Sequence, residues 1–207
     1  MKVLLVNGSA RPNGNTAFAL QEIAAQLERE QIETETICLG AQALRDCIGC
    51  GACRQNGTCA WDEDIVNTLI EKAKGADGFV FGTPVYYAHP SGRLLSALDR
   101  AFYAGKAVFE KKPGAAVAVA RRAGTTASID VLNKYFTIAQ MPVVSSSYWN
   151  MAFGAAPGEA AQDAEGLQTM RNLARNMAWL LRCIDAGRQA GILPPGAETA
   201  QHTNFIR

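Results

Sequence analysis

Val3-Leu4-Leu5-Val6, followed by Gly8-Ser9-Ala10-Arg11-Pro12-Asn13-Gly14-Asn15-Thr16, decides the fold. A short apolar run gives way to a polar loop with two glycines, and helical periodicity begins at once. That is a buried strand, a tight loop and a helix start. The first backbone N–H groups of a helix have no partner inside it and carry partial positive charge, so such a turn is an anion site. Ser9, Asn13, Asn15 and Thr16 add hydroxyl and amide donors, and Arg11 adds a full charge. Each charge-assisted bond to a phosphate is worth roughly 1.5–3 kcal/mol. The simpler alternative is an ordinary strand–helix turn, but Arg11 and Asn15 exceed what capping a helix requires.

The loop has no Lys, so it is not the G-x-x-x-x-G-K-[ST] cradle of nucleoside triphosphates. Ser9 and Ala10 stand where the dinucleotide fingerprint G-x-G-x-x-G needs its second glycine. A loop this long and this rich in hydroxyl and amide groups suits a terminal monophosphate held on all sides.

Working outward, strand-like runs at 2–6, 33–38, 78–82, 115–120 and 142–144 alternate with helical patterns at 16–30, 62–74, 92–104, 126–139 and 164–186. Asp62 and Ser91 read as N-caps and Gly187 as a helix stop. Strict alternation predicts an α/β, doubly wound, five-stranded parallel sheet of order 2-1-3-4-5, with helices on both faces and ligands beyond the carboxyl ends of the strands. With 207 residues, 48% of them hydrophobic, the chain is expected to form a single domain over 1–207 with a sizeable core. Its 20 basic and 19 acidic residues leave a net charge of +1, and no basic run interleaves with aromatics. That balance argues against a nucleic-acid or membrane partner. The N-terminal apolar run is too short for a signal peptide, so the expected location is cytoplasmic. Two connections, 40–61 and 145–162, are long enough to carry function. The tail from about 187 is expected to be irregular, either mobile or wrapped on a neighbouring subunit.

At the end of the third strand, Thr83-Pro84-Val85-Tyr86-Tyr87-Ala88-His89-Pro90 is expected to stop pairing at Pro84 and turn outward. It offers a flat apolar shelf and backbone donors to a planar ring; the alternative is that Tyr86 and Tyr87 pack into the core. His89 reads as a surface residue. Arg121, Arg122 and Gly124 close the fourth strand, where small residues allow close backbone approach and the arginines face either an anion or plain solvent. In the second long connection, Ser147-Tyr148-Trp149-Asn150-Met151 forms a lid, a subunit contact or core packing. Glu159, Asp163 and Glu165 read as solvent-facing charge around a helix start.

Cys47, Cys50, Cys53 and Cys59 lie within thirteen positions of the first long connection. Two-residue gaps let successive sulfurs converge, and three readings stay open: a [4Fe-4S] cluster, thiols with no metal, and, less favoured, a structural zinc. A disulfide is disfavoured in a reducing compartment except as a switch. Cys38 and Cys183 read as small core residues.

Taken together, the loop at 8–16, Thr83-Pro84-Val85-Tyr86-Tyr87 and Leu98-Asp99-Arg100 resemble the NAD(P)H-dependent FMN reductase branch of the flavodoxin-like proteins. The cysteine spacing is similar to that of its iron–sulfur flavoprotein subgroup. The resemblance implies FMN, with its phosphate on Ser9, Arg11, Asn13, Asn15 and Thr16. It also implies that Pro84, Val85, Tyr86 and Tyr87 run along the isoalloxazine and that the Arg121–Gly124 turn makes a third contact. It implies a homodimer or homotetramer, and a structural role for Asp99 and Arg100. The expected activity is transfer of a hydride from NAD(P)H to the flavin and of electrons onward to a small-molecule acceptor or redox protein, with no side chain needed as acid or base. A non-enzymatic electron carrier and a cysteine-based redox sensor are the alternatives.

Overall fold

The N-terminal apolar run forms β1 (Lys2–Asn7), which has a parallel partner on each side. On one side β2 (Glu33–Cys38) pairs from Lys2↔Glu33 to Asn7↔Cys38; on the other β3 (Gly78–Tyr86) pairs from Val3↔Gly78 to Asn7↔Gly82. In this computed structural model, which describes residues 1–201 and 203, the sheet continues through β5 (Gly114–Ala120) to a three-residue edge, β6 (Met151–Phe153). The order is β2-β1-β3-β5-β6, with the two-residue β4 (His89–Pro90) antiparallel to the end of β3. The parallel core has the predicted winding, but the sheet has six strands rather than five.

Successive strand residues face opposite sides, and both sides are apolar. Leu4, Val6, Phe79, Phe81, Ala116 and Ala118 face the core beneath α3 (Ile65–Lys74), α4 (Gly92–Phe109) and α5 (Thr125–Ile138). Val3, Leu5, Val80, Ala115, Val117 and Val119 face the core beneath α1 (Asn15–Arg29) and α6 (Ala164–Gln189). Each fully buried Leu or Phe contributes about 1.5–3 kcal/mol, so both layers are held firmly to the sheet. A single helical turn, α2 (Cys53–Asn56), and a 3₁₀ turn, Glu159–Gln162, complete the elements.

Several expectations are corrected. The edge strand is not 142–144, where only Val143 bridges to Gly114; it is Met151–Phe153. Pro84 does not end β3, because pairing continues to Pro84↔Val119. Phe79 N–H donates to the Pro113 carbonyl on the β5 side, so alternation turns the nitrogen of residue 84 toward β1. Pairing with β1 has already ended at Gly82, and the missing N–H leaves no ladder bond broken. The N-cap of α3 is Asp64, whose side chain accepts from Val66 N–H, not Asp62. Ser91 does cap α4, accepting from Leu94 N–H. Gly187 lies inside α6; the helix stops at Gly191 (φ 81°), where Ile192 N–H reaches the Gly187 carbonyl and Gly191 N–H that of Arg188. Cys38 and Cys183 are exposed rather than buried. The tail after α6 carries no helix or strand among the described residues, and residues 202 and 204–207 lie outside them.

Candidate functional site

Chain topology reverses between β1 and β3, which makes their carboxyl ends the natural ligand crevice. The loop after β1 is bound to that position by its backbone. Gly8 N–H donates to the Gly82 carbonyl at 2.8 Å, and the Ser91 hydroxyl donates to the Gly8 carbonyl at 2.8 Å. A Cβ on Gly8 would stand 2.8 Å from the Leu94 side chain, so only glycine allows this approach. The fully buried Asn7, which sequence reasoning missed, accepts from Ser9 N–H at 3.0 Å, and Ser9 Oγ accepts from Arg11 N–H at 3.1 Å. These two turns curl the loop and leave the buried Ser9 hydroxyl its proton to donate.

The helix start beyond it suits an anion. Gly14 caps α1 without any side-chain bond, and no acidic residue occupies the first turn. Thr16 is buried there, while Arg11 and Asn13 are exposed. Asn15, expected on a phosphate, has a long-range partner as well. Its amide donates to the Ala156 carbonyl at 2.9 Å and accepts from Ala160 N–H at 3.2 Å, so it ties α1 to the connection before α6. Glu159 holds that connection by accepting from Ala155 and Ala156 N–H. These bonds, that to Ala156 first, hold its carboxyl below the usual carboxylate range. Asp163, also expected to face solvent, caps α6 through Gly166 N–H and accepts from Phe153 N–H.

The second loop is a hairpin. Tyr86 pairs with His89 across Tyr87 and Ala88, which have φ of 52° and 59°. Two consecutive left-handed residues make the tight turn whose twist matches a hairpin, here without the usual glycine or asparagine. The result is that Tyr86 and Tyr87 project outward, Tyr87 wholly exposed, and neither packs into the core. Thr83 Oγ1 accepts from Ser91 N–H at 2.9 Å and closes the base of the hairpin. The third loop presses on it: Gly124 has φ 88°, and a Cβ there would fall 2.6 Å from Ala88 Cα. Arg121 and Arg122 are exposed, and among the described residues neither they nor Arg11 forms an ion pair. Tyr148 and Trp149 pack edge to face at 4.9 Å and are both more than half exposed, which removes the core-packing alternative for Trp149.

The cysteines form a separate feature on the α4 side. Cys47, Cys50, Cys53 and Cys59 together line a pocket of about 110 Å³, with Trp61, Arg100 and Tyr103 completing its wall. Gly49 (φ 65°) and Gly51 (φ 75°) flank Cys50, and these left-handed positions fold the three nearest cysteines around one void. Among the described residues no three Cys, His, Asp or Glu side chains stand close enough to hold a single ion. Zinc needs its donors about 2.0–2.3 Å from one point. The four thiols share the wall of one cavity, and a group that takes one thiolate at each of several irons would draw on all of them. Asn67 clamps Cys59 from both sides, accepting from its N–H at 2.8 Å and donating to its carbonyl at 2.9 Å. Arg100, only 1% exposed, extends Nε–H to Cys59 Sγ at 3.2 Å and forms a buried ion pair with Asp64. Burial opposes the Arg100 charge, but the bonds to Asp64 and Cys59 outweigh it and raise its pKa above the ordinary value.

A model of the family described as NADPH-dependent FMN reductase matches residues 1–156. An iron-sulfur flavoprotein of Methanocaldococcus jannaschii is 36% identical over 192 residues, covering 89% of this chain and 99% of that protein. An iron-sulfur flavoprotein of Methanosarcina thermophila is 28% identical over 193 residues, covering 91% and 99%. Among solved structures, a flavodoxin-type WrbA-like protein of Agrobacterium tumefaciens superposes with a TM-score of 0.64 at 17% identity, over 88% of this chain and 98% of that one.

Proposed function

The chain belongs to the NADPH-dependent FMN reductase family, among the iron–sulfur flavoproteins, and from that premise we propose that it takes a hydride from NAD(P)H and passes electrons to a small-molecule or protein acceptor. Flavin-dependent redox chemistry is the property of the family; the donor and the acceptor are the proposal. The observation that carries it is the interlocking of three loops around the uncapped start of α1: Gly8 on Gly82, Ser91 on Gly8, and Gly124 against Ala88.

FMN, when bound, supplies both two-electron and one-electron chemistry. The protein's part is binding, orientation and shielding. Ser9, Thr16 and the first-turn N–H groups of α1 grip the phosphate, with Arg11, Asn13 and Asn15 at the rim. Asn15 acts through its hold on the 156–160 turn. Pro84, Val85, Tyr86 and Tyr87 would hold the ring, together with the Arg121, Arg122 and Gly124 turn. The exposed arginines favour an anionic nicotinamide cofactor at this edge. Cys47, Cys50, Cys53 and Cys59 would hold a [4Fe-4S] cluster, which would supply a one-electron store. A homodimer or homotetramer is part of the same reading, supported by Tyr148, Trp149 and Trp179 lying more than half exposed.

The test is anaerobic turnover. FMN-loaded protein with excess acceptor is expected to oxidise NADH or NADPH at a steady rate. The pocket shared by all four thiols favours one competing reading, a pure electron carrier. Reversible reduction by a chemical one-electron donor, with no NAD(P)H oxidation, would establish the carrier and refute the enzyme.

A further inference from the structure

Arg100 is among the largest fully buried side chains of the molecule, and the family resemblance implies only a structural part for it. A guanidinium has five N–H donors. All five are placed here. Nε donates to Cys59 Sγ at 3.2 Å. One terminal nitrogen donates to Asp64 Oδ2 and to the Arg45 carbonyl at 3.3 Å; the other donates to the Trp61 carbonyl at 2.8 Å and to Asp64 Oδ1 at 3.1 Å. The fork is therefore rigid, and its only sulfur contact points into the cysteine pocket.

The four thiols are not equivalent. Cys53 Sγ faces a neutral acceptor, the Tyr103 carbonyl, at 3.7 Å. Among the described residues Cys59 alone meets a cationic donor, and its backbone is clamped by Asn67. A hydrogen bond and a positive charge at a ligating sulfur withdraw electron density from the iron behind it. Both favour the reduced form, as hydrogen bonds to sulfur and net charge set cluster potentials generally.

We propose that Arg100 is a positioning residue that holds the Cys59 sulfur at the pocket and raises the reduction potential of the iron–sulfur group bound there, with Asp64 as the counterweight. This rests on the reading above that the four thiols hold such a cluster. The pair makes opposite demands. Removing the Arg100 cation and its Nε–H makes reduction harder. Removing the Asp64 anion while leaving the Nε–H in place makes it easier. A merely structural tie between α4 and the cysteine loop would produce no such opposition, because either change loosens the same contact.

The experiment uses the full chain purified without oxygen, as wild type, Arg100→Gln and Asp64→Asn. Asparagine preserves the N-cap of α3. Iron per chain is assayed first, and the cluster midpoint potential is then read by redox titration followed by electron paramagnetic resonance. The expected result is about four irons per chain in the wild type, a midpoint lower than wild type in Arg100→Gln and higher in Asp64→Asn. Wild-type protein without iron would overturn the cluster reading and this inference together. Iron retained with unchanged midpoints, or with both shifted the same way, would overturn the inference alone. Should Arg100→Gln lose its iron or fail to fold, Asp64→Asn decides: a raised midpoint supports the role, and an unchanged or lowered one refutes it.

Discussion

Gly124 shows how single positions shape the crevice. Its φ of 88° and the 2.6 Å that would separate a Cβ from Ala88 Cα mean that Gly124→Ala adds both left-handed strain and a clash. By the usual magnitudes these cost about 1–2 and about 1–3 kcal/mol. Denaturant titration should show a loss of roughly 3 kcal/mol on that basis, and FMN affinity should drop as the Tyr86–Tyr87 hairpin shifts. Ser9 has the opposite profile: it strains nothing, and its hydroxyl proton is uncommitted. Ser9→Ala should weaken FMN binding by roughly ten- to a hundredfold, the equivalent of one charge-assisted hydrogen bond. Riboflavin, which lacks the phosphate, should bind the variant and the wild type alike. Equal losses for both flavins would place the phosphate elsewhere. The donor-rich character of this loop was legible in Ser9, Arg11 and Thr16. The bridging task of Asn15 was not, because its partners Ala156 and Ala160 are about 140 positions away and contribute only backbone atoms.

At the scale of elements, the first four parallel strands and all five long helices were readable from periodicity, since both faces of the sheet are buried and each of those five helices has an apolar stripe. The fifth strand was not. Pro-Val-Val at 142–144 has the stronger intrinsic strand preference, yet Met151–Phe153 takes the edge because Ala118–Ala120 of β5 offers it a ladder. The hairpin β4 was hidden by Pro84, whose missing N–H falls where β1 has already turned away. The 154–160 connection depends on one carboxylate. Glu159 has a lowered pKa because it accepts from Ala156 and Ala155, so its contribution is present above the ordinary carboxylate range of about 4.3 and is lost as pH falls through the lower, folded-state value. Protection of the Ala155 and Ala156 amides, taken as exchange relative to the intrinsic rate at each pH, should fall as the buffer is acidified across that interval. In Glu159→Gln the two amides should exchange quickly already at neutral pH; amides protected equally at both pH values would show that Glu159 does not hold this turn.

For the whole molecule, the flavin crevice lies at the β1/β3 reversal, while the cysteine pocket is built on α4 by the connection after β2. The cysteine spacing was legible; the far wall of the pocket was not, because Arg100 and Tyr103 come from α4. No helix among the described residues is long and apolar enough to cross a membrane. Sedimentation should give the mass of a dimer or tetramer of the 22.1 kDa chain, and Trp149→Ser should shift it toward the monomer if the exposed aromatics are the contact. A ligand bound only by the folded chain stabilises it by about 2.7 kcal/mol at a hundred times its Kd, so excess FMN should raise the Tm measurably. The most direct measurement is a fluorescence titration of flavin-free protein with FMN and, in parallel, with riboflavin. Saturation at one FMN per chain, with riboflavin at least about a hundredfold weaker, is expected from two lost charge-assisted bonds or more. Equal affinity for the two flavins, or no saturable binding of either, would contradict a phosphate cradle at the start of α1.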